Sequence, residues 1–436
     1  MNLVKNKFTF LFLLLFIYNC SFDNKTGIWK DKKIEKENNK NIEDIFTSRK
    51  IFKEEINPNI KIKIISKAND KSFLNNLDNN KGRSTYNGKL QILNKFKFSN
   101  TKNFNKLDNN IIVYNQNVIF FDNKGTILNF NKKSKLNWKK NVYTRSEKKL
   151  KPILSFSLQD NILVVADNLA RYYAININTG DLIWSKRNSS QFNSQIKISD
   201  NKIFIVDYEN TLRCFSIKTG NEIWNVQTEN TFVKSDKKLS IAILQNKIFF
   251  NNSIGDVSLV DKDTGELIWQ IPTQKNSIYE DAFLLKMSNI TLDDQSIYLS
   301  TNKNQFFSID QNTGFVNWQQ SINSHLTSTI VDNLIFIITS EGFLFILEKK
   351  NGEVIRSTYI FDKLKENKRK DLKPVGFVMG EKNIYLSTSK GYLIIINIIS
   401  GKALSIKKIH GGKILRPNIT NDSLYILKSN GIVQLN

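Results

Sequence analysis

Over most of this chain apolar and polar positions alternate with a period of two, in short runs closed by polar or glycine-bearing turns. That period belongs to β-strands with one buried face. The stretch from Asn201 to Trp224, NKIFIVDYENTLRCFSIKTGNEIW, carries the unit. A polar pair leads into a strand, IFIVDY, and a bend at Glu209-Asn210 turns into a second strand, TLRCFSI. A tight turn, Lys218-Thr219-Gly220, follows, and its glycine suits the left-handed backbone that a branched residue resists. Trp224 falls four residues beyond that glycine, on the strand leaving the turn.

The unit repeats. Its turn-and-tryptophan half recurs as NKKSKLNW (131–138), NINTGDLIW (176–184), SIKTGNEIW (216–224), DKDTGELIW (261–269) and DQNTGFVNW (310–318), with degraded copies KKNGEVIR (349–356) and IISGKALS (398–405). Taken at Ser134, Gly180, Gly220, Gly265, Gly314, Gly352 and Gly401, the spacings are 46, 40, 45, 49, 38 and 49 residues. A period of this length made of short alternating strands is that of propeller blades. Strand pairs occur eight times, after Asn117, Asn161, Asn201, Lys247, Ser296, Asn333, Asn383 and Ser423, and the last copy stops at Asn436 before any outer strand. An open sheet edge leaves backbone groups unpaired, so the missing strand must come from elsewhere. The strand-like stretch 88–99, GKLQILNKFKFS, supplies it. The expected fold is all-β, an eight-bladed propeller of four-stranded antiparallel blades over 84–436, its last blade closed by an N-terminal strand.

The first residues read as an export signal. Lys5 and Lys7 precede an apolar run of 11 residues, Phe8 to Tyr18, too short to span a bilayer as a helix. Cys20 ends it, with Ile17 three residues before, so 1–19 reads as a lipoprotein signal and Cys20 as the lipidated residue. A soluble secreted protein with an incidental cysteine is the alternative. Ser21 rather than an aspartate follows Cys20, which points such a lipoprotein to the outer membrane. Residues 20–83 are rich in lysine and asparagine and read as a flexible tether. Within them, 41–56 carries a loose apolar stripe of helical spacing, and Lys61 to Ile65 is a candidate strand.

Charge and candidate chemistry change this picture little. The net charge of +24 falls to +22 without Lys5 and Lys7, yet the basic residues are scattered over every blade and form no dense cluster in the sequence. An exported protein meets no genome, so nucleic acid is not an expected partner; attraction to anionic membrane surfaces is physically allowed. Cys214 is then a lone strand thiol, best read as a small buried hydrophobe. His325 and His410 are the two histidines, and neither stands in a triad or metal-ligand spacing. No glycine loop of phosphate-cradling type occurs. Trp138, Trp184, Trp224, Trp269 and Trp318 share one register, so they read as packing between neighbouring blades, because a ligand site needs one such ring and not five. Arg356 and Ser405 replace them in two copies, where weaker packing between blades is expected.

NTGDLIW, KTGNEIW, DTGELIW and NTGFVNW resemble the repeat of pyrroloquinoline-quinone-type propellers, over about 88–436. That family has an enzymatic branch, the quinoprotein dehydrogenases, and a branch of BamB-type lipoproteins of the outer-membrane β-barrel assembly machinery. The lipoprotein-like start, the single ring of eight units and the lack of a vicinal cysteine pair favour the second. The resemblance then implies a scaffold with no cofactor and no catalysis, held by lipid on the periplasmic face of the outer membrane. It implies docking to the barrel-inserting subunit and guidance of unfolded outer-membrane proteins. Family docking loops correspond here to 231–239 and 277–287, which puts Val233 and Lys234, and then Glu280 and Asp281, at the partner surface. A quinone-dependent dehydrogenase and a surface-binding propeller remain as alternatives.

Overall fold

The computed structural model describes residues 54–69, 79–107, 111–230, 234–274 and 284–436. Eight four-stranded antiparallel sheets make eight blades. Blade 3, which holds the 201–224 unit, is typical. Its innermost strand is Lys197–Ser199, followed outward by Lys202–Val206, Thr211–Ser216 and Glu222–Gln227. The sequence unit therefore covers the three outer strands, and the short inner strand precedes it.

Burial follows the alternation. Between blades 3 and 4 a single core holds Phe204, Val206, Leu212 and Cys214 from one sheet and Leu239, Ile241, Ile248, Phe250 and Val260 from the next. Both faces of the middle strands are covered by neighbouring blades, so these strands are buried almost throughout, whereas the outer strand of blade 3 alternates exposed and half-buried positions.

Every outer strand carries the same irregularity. In blade 4, Leu259 faces Trp269 and Val260 faces Leu267, so Ile268 is an extra residue in the ladder. Such a bulge bends the strand and re-aims the following side chain, here the tryptophan. The bulge recurs one residue before Trp138, Trp184, Trp224, Trp318, Arg356 and Ser405.

The eighth blade is closed as expected. Its own strands are Asn418–Thr420, Ser423–Lys428 and Gly431–Leu435, and Ile92–Lys97 pairs antiparallel with the last of them, from Ile92↔Leu435 to Lys97↔Gly431. This N-terminal strand copies even the bulge, with Leu93 as the extra residue and Asn94 where the tryptophan would stand.

The segment before that strand departs from a free tether. Over 79–91 the chain forms a strap across the downstream ends of inner strands. Asn79 bonds through its side-chain amide to both Ile243 N–H and Ile243 C=O in blade 4, and its own carbonyl accepts from Leu292 N–H in blade 5. Asn80 and Gly82 bracket Ile330 in blade 6, and Ser84 N–H donates to Met379 C=O in blade 7. Residues 54–69 are also seated: Ile56 pairs with Ser357, Ile62 N–H donates to Ile399 C=O, and the Asp332 carboxylate accepts from Ile65 and Ser66 N–H at 2.7 and 3.2 Å. Backbone pairing of this kind needs no apolar pattern, which is why a lysine- and asparagine-rich stretch can dock. Lys61–Ile65 is not a ladder strand, and the candidate helix at 41–56 falls outside the described residues except for 54–56.

Candidate functional site

Each of the five repeat tryptophans lies under the turn glycine of the following blade. A Cβ on Gly180, Gly220, Gly265, Gly314 or Gly352 would stand within 3.0 Å of the indole of Trp138, Trp184, Trp224, Trp269 or Trp318 respectively. Those five glycines have φ between 67° and 79°, so both the backbone and the close approach require glycine. Four indole N–H groups also donate to a carbonyl three residues before that glycine, as Trp184 does to Ile217 at 2.9 Å. The five rings are thus half-buried locks between blades.

Arg356 corrects the expectation of a weak joint. It is fully buried, its guanidinium lies against Gly401, and it donates to Ile398 C=O, the same position that indoles use elsewhere. It also donates to Ile60 C=O at 2.8 Å, pinning the N-terminal segment. Its fork of donors satisfies more acceptors than an indole does. Ser405, by contrast, is exposed.

Of the residues assigned to partner docking, Val233, Glu280 and Asp281 lie outside the described residues, as does Cys20. Lys234 is described and is not a surface charge. It is buried, donates to Tyr208 C=O at 2.6 Å, sits 4.8 Å above the Tyr208 ring and pairs with Glu209 at 3.5 Å. A buried ammonium needs such partners to offset desolvation, and here they come from the preceding blade's bend.

The inner strands surround an axial channel of about 870 Å³. Lys106, Lys237, Lys238, Lys286, Lys373 and Lys413 stand on connections that lead into the inner strands of blades 1, 4, 5, 7 and 8. They therefore share one end, the mouth, while the strap crosses the other end, where Asn79 and Asn80 also line the cavity. Lys197 and Arg416 add charge along the wall, Arg416 donating to Phe377 C=O at 2.9 Å and to Asn80 at 3.2 Å. Against these eight cations the described lining holds one acid, Asp236, bound to Lys106 at 3.0 Å, a net of +7.

The electrostatics follow. Burial, and then Arg416, bring the Lys197 ammonium down to about 8. Burial, and then Lys237, Lys286, Lys413 and Lys373, hold the His325 imidazole at about 3, so it is neutral, with Nδ1 3.4 Å from Ser340 Oγ. Cys214, buried against apolar neighbours, has its thiol pushed up to about 12 and behaves as a hydrophobe. Among the described residues no group of three or more His, Cys, Asp or Glu is placed to hold a metal ion. Sequence reading missed the channel because its cations lie far apart along the chain. The one available signal was a lysine recurring a few residues before the inner strand.

The channel and locks can be set beside known proteins. BamB from Moranella endobia is 24% identical over 276 residues, covering 63% of this chain and 69% of that relative. The crystal structure of BamB from Moraxella catarrhalis superposes with a TM-score of 0.62 at 17% identity, over 79% of this chain and 99% of that one. A europium-containing methanol dehydrogenase superposes with the same TM-score, 0.62, at 9% identity, over 81% and 88% of the two chains. At such identities the two structural likenesses speak for the propeller fold alone. The sequence model of the family described as outer membrane protein assembly factor BamB matches residues 108–358, more than half of the 436 residues. On that match, the chain belongs to the family of outer membrane protein assembly factor BamB.

Proposed function

We propose that this protein is a non-catalytic scaffold of outer-membrane β-barrel assembly. In this reading it is anchored by lipid at Cys20 to the periplasmic face of the outer membrane, docks to the barrel-inserting subunit and guides unfolded outer-membrane proteins. The family match over 108–358 carries the proposal. The docking surface is the channel-mouth face, where the described parts of the two connections, 234–239 and 284–287, enter blades 4 and 5. Leu284, 59% exposed there, offers an apolar contact three residues along the chain from Asp281.

The quinone-dependent propellers are the competing reading. Their chemistry needs a base free to take the hydroxyl proton of an alcohol. Asp236, the one carboxylate of the described channel lining, is tied to Lys106, and the two cysteines, Cys20 and Cys214, form no vicinal pair. The described residues of the channel do not fit that cofactor.

Capture from detergent-solubilised outer membrane tests the proposal: the tagged protein should retain the barrel-inserting subunit. Asp281→Lys combined with Leu284→Asp should weaken capture while thermal unfolding stays unchanged, since exposed loop changes usually shift stability by under about 0.5 kcal/mol. The assay runs at low and physiological salt, because rim charges act largely through on-rate. Undiminished capture at both salts removes these loops from the interface. No capture at all, together with dye-linked alcohol oxidation on adding quinone, refutes the scaffold.

A further inference from the structure

We propose that the mouth-end face of blades 7, 8, 1 and 2 lies on an anionic lipid surface, with Leu150 entering the headgroup layer among lysines. Each inner strand starts at the mouth and the strands are antiparallel, so the connections between blades stand at that end and the glycine turns at the other. Four successive connections, taken with the last residues of the outer strand before them, are 360–373, 406–417, 95–111 and 139–153. Together they carry 20 Lys and Arg and 5 Asp and Glu. The other four, 186–196, 227–239, 272–289 and 319–328, carry 7 and 4. The whole chain has 64 and 40, so a bias of composition alone does not produce such an arc. The four connections come from two distant parts of the chain and become neighbours only when the ring closes.

The surplus does not depend on any cation standing unpaired, because a net field survives local pairing. Of the five acids, Glu147 is already held by Arg171 at 2.9 Å and by Arg187, both outside the four connections. Lys102, Arg145, Lys149, Lys365, Lys368 and Lys408 are exposed on the arc. Its field registers on neighbouring groups: burial, and then Lys95 and Lys97, hold the Lys428 ammonium below its ordinary value, and burial, then Lys428 and Lys408, do the same to His410. Two features select a bilayer over an acidic protein chain. The charges spread over half of the ring, which suits a plane of headgroups rather than a cleft. Leu150, 62% exposed, follows the short helix Arg145–Lys149, with Lys148, Lys149 and Lys151 beside it in the chain. An apolar side chain among lysines is the chemistry of a membrane-interface contact. The arc lies across the ring from the connections into blades 4 and 5, so the two surfaces do not overlap. Nothing in it depends on the scaffold reading, and the test uses a chain that carries no lipid.

Vesicle binding of the full chain carrying Cys20→Ser tests it. An environment-sensitive dye is attached at Leu150→Cys or, on the glycine turn at the other end of blade 5, at Phe315→Cys; Cys214 is buried and stays unlabelled. On vesicles of phosphatidylglycerol and phosphatidylcholine the dye at position 150 should shift to the blue and the dye at position 315 should not. Neither should shift on phosphatidylcholine alone. Lys102→Gln/Lys365→Gln removes two exposed charges from the arc, and Lys132→Gln/Lys218→Gln removes two from the glycine turns. Each lysine near an anionic surface contributes enough that the first pair should raise the lipid needed for half the shift by about thirtyfold. The second pair should raise it by less than about threefold, and both variants should melt like the unaltered protein. Equal effects of the two pairs would mean a general charge effect and overturn the surface. A shift at position 315 without one at 150, or a shift at neither, would also overturn it. Polyglutamate binding that is lost with the arc pair, without a shift at position 150 on vesicles, overturns it in favour of an acidic protein.

Discussion

A methyl group on Gly265 would stand 2.7 Å from Trp224 Cδ2, and this contact explains why the turn and the tryptophan recur together. Gly265→Ala should cost about 2–4 kcal/mol, from left-handed backbone strain and overpacking. In a Trp224→Ala background the clash is gone and the same change should cost only about 1 kcal/mol. Chemical denaturation of the four proteins measures the coupling, and additive effects would show that the two residues do not press on each other. The tryptophans were legible because repetition put them in register. Arg356 was not, because its role rests on carbonyls of Ile398 and Ile60 that only the folded ring brings to it. His325 gives a pH dependence. Its imidazole titrates near 3 when folded and near 6.5 when not, so between those values only the unfolded chain holds the proton. The penalty is absent above pH 6.5 and grows as pH falls, by about 1.4 kcal/mol per unit. From pH 6.5 to 5, His325→Asn should therefore lose up to about 2 kcal/mol less stability than the unaltered protein, read from denaturation midpoints. Parallel pH profiles would exclude His325 as a contributor.

Among the elements, the closing strand was readable from an absence, a final unit without an outer partner. Its bulge at Leu93 and its pairing with Gly431–Leu435 make it a true fourth strand rather than a loose cover. The strap was not readable. Asn80, Gly82 and Ser84 bond through their backbones, which leaves no periodicity in side chains. Deletion separates the two roles. A chain beginning at residue 79 keeps strap and strand and should unfold in one sharp transition. A chain beginning at residue 100 lacks the outer strand of blade 8 and exposes an unpaired edge, so it should aggregate or melt broadly. Equal melting of the two would mean that Ile92–Lys97 does not close the ring.

At the scale of the whole molecule, circular order makes neighbours of residues that the chain separates widely. Lys106 and Lys413 stand at opposite ends of the sequence yet share one channel mouth. Scattered lysines in the sequence were read as diffuse charge for that reason, although blade periodicity itself was plain. The seat of residues 54–69 has a mechanical consequence. Tension applied at residue 54 enters the ring at Ile56 and meets Arg356, Ile399 and Asp332 before it reaches the strap. The seat would yield first, and the strap lies across four inner strands, so their bonds resist together in shear. Load on this segment can then be borne without opening the ring. Optical-tweezer pulling from residue 54 should show a small early release before the large rupture of the propeller, and Glu55→Ala combined with Asp332→Ala, which removes side-chain acceptors at the seat, should lower the force of the early event. A single rupture in both proteins would mean that load passes straight to the closing strand.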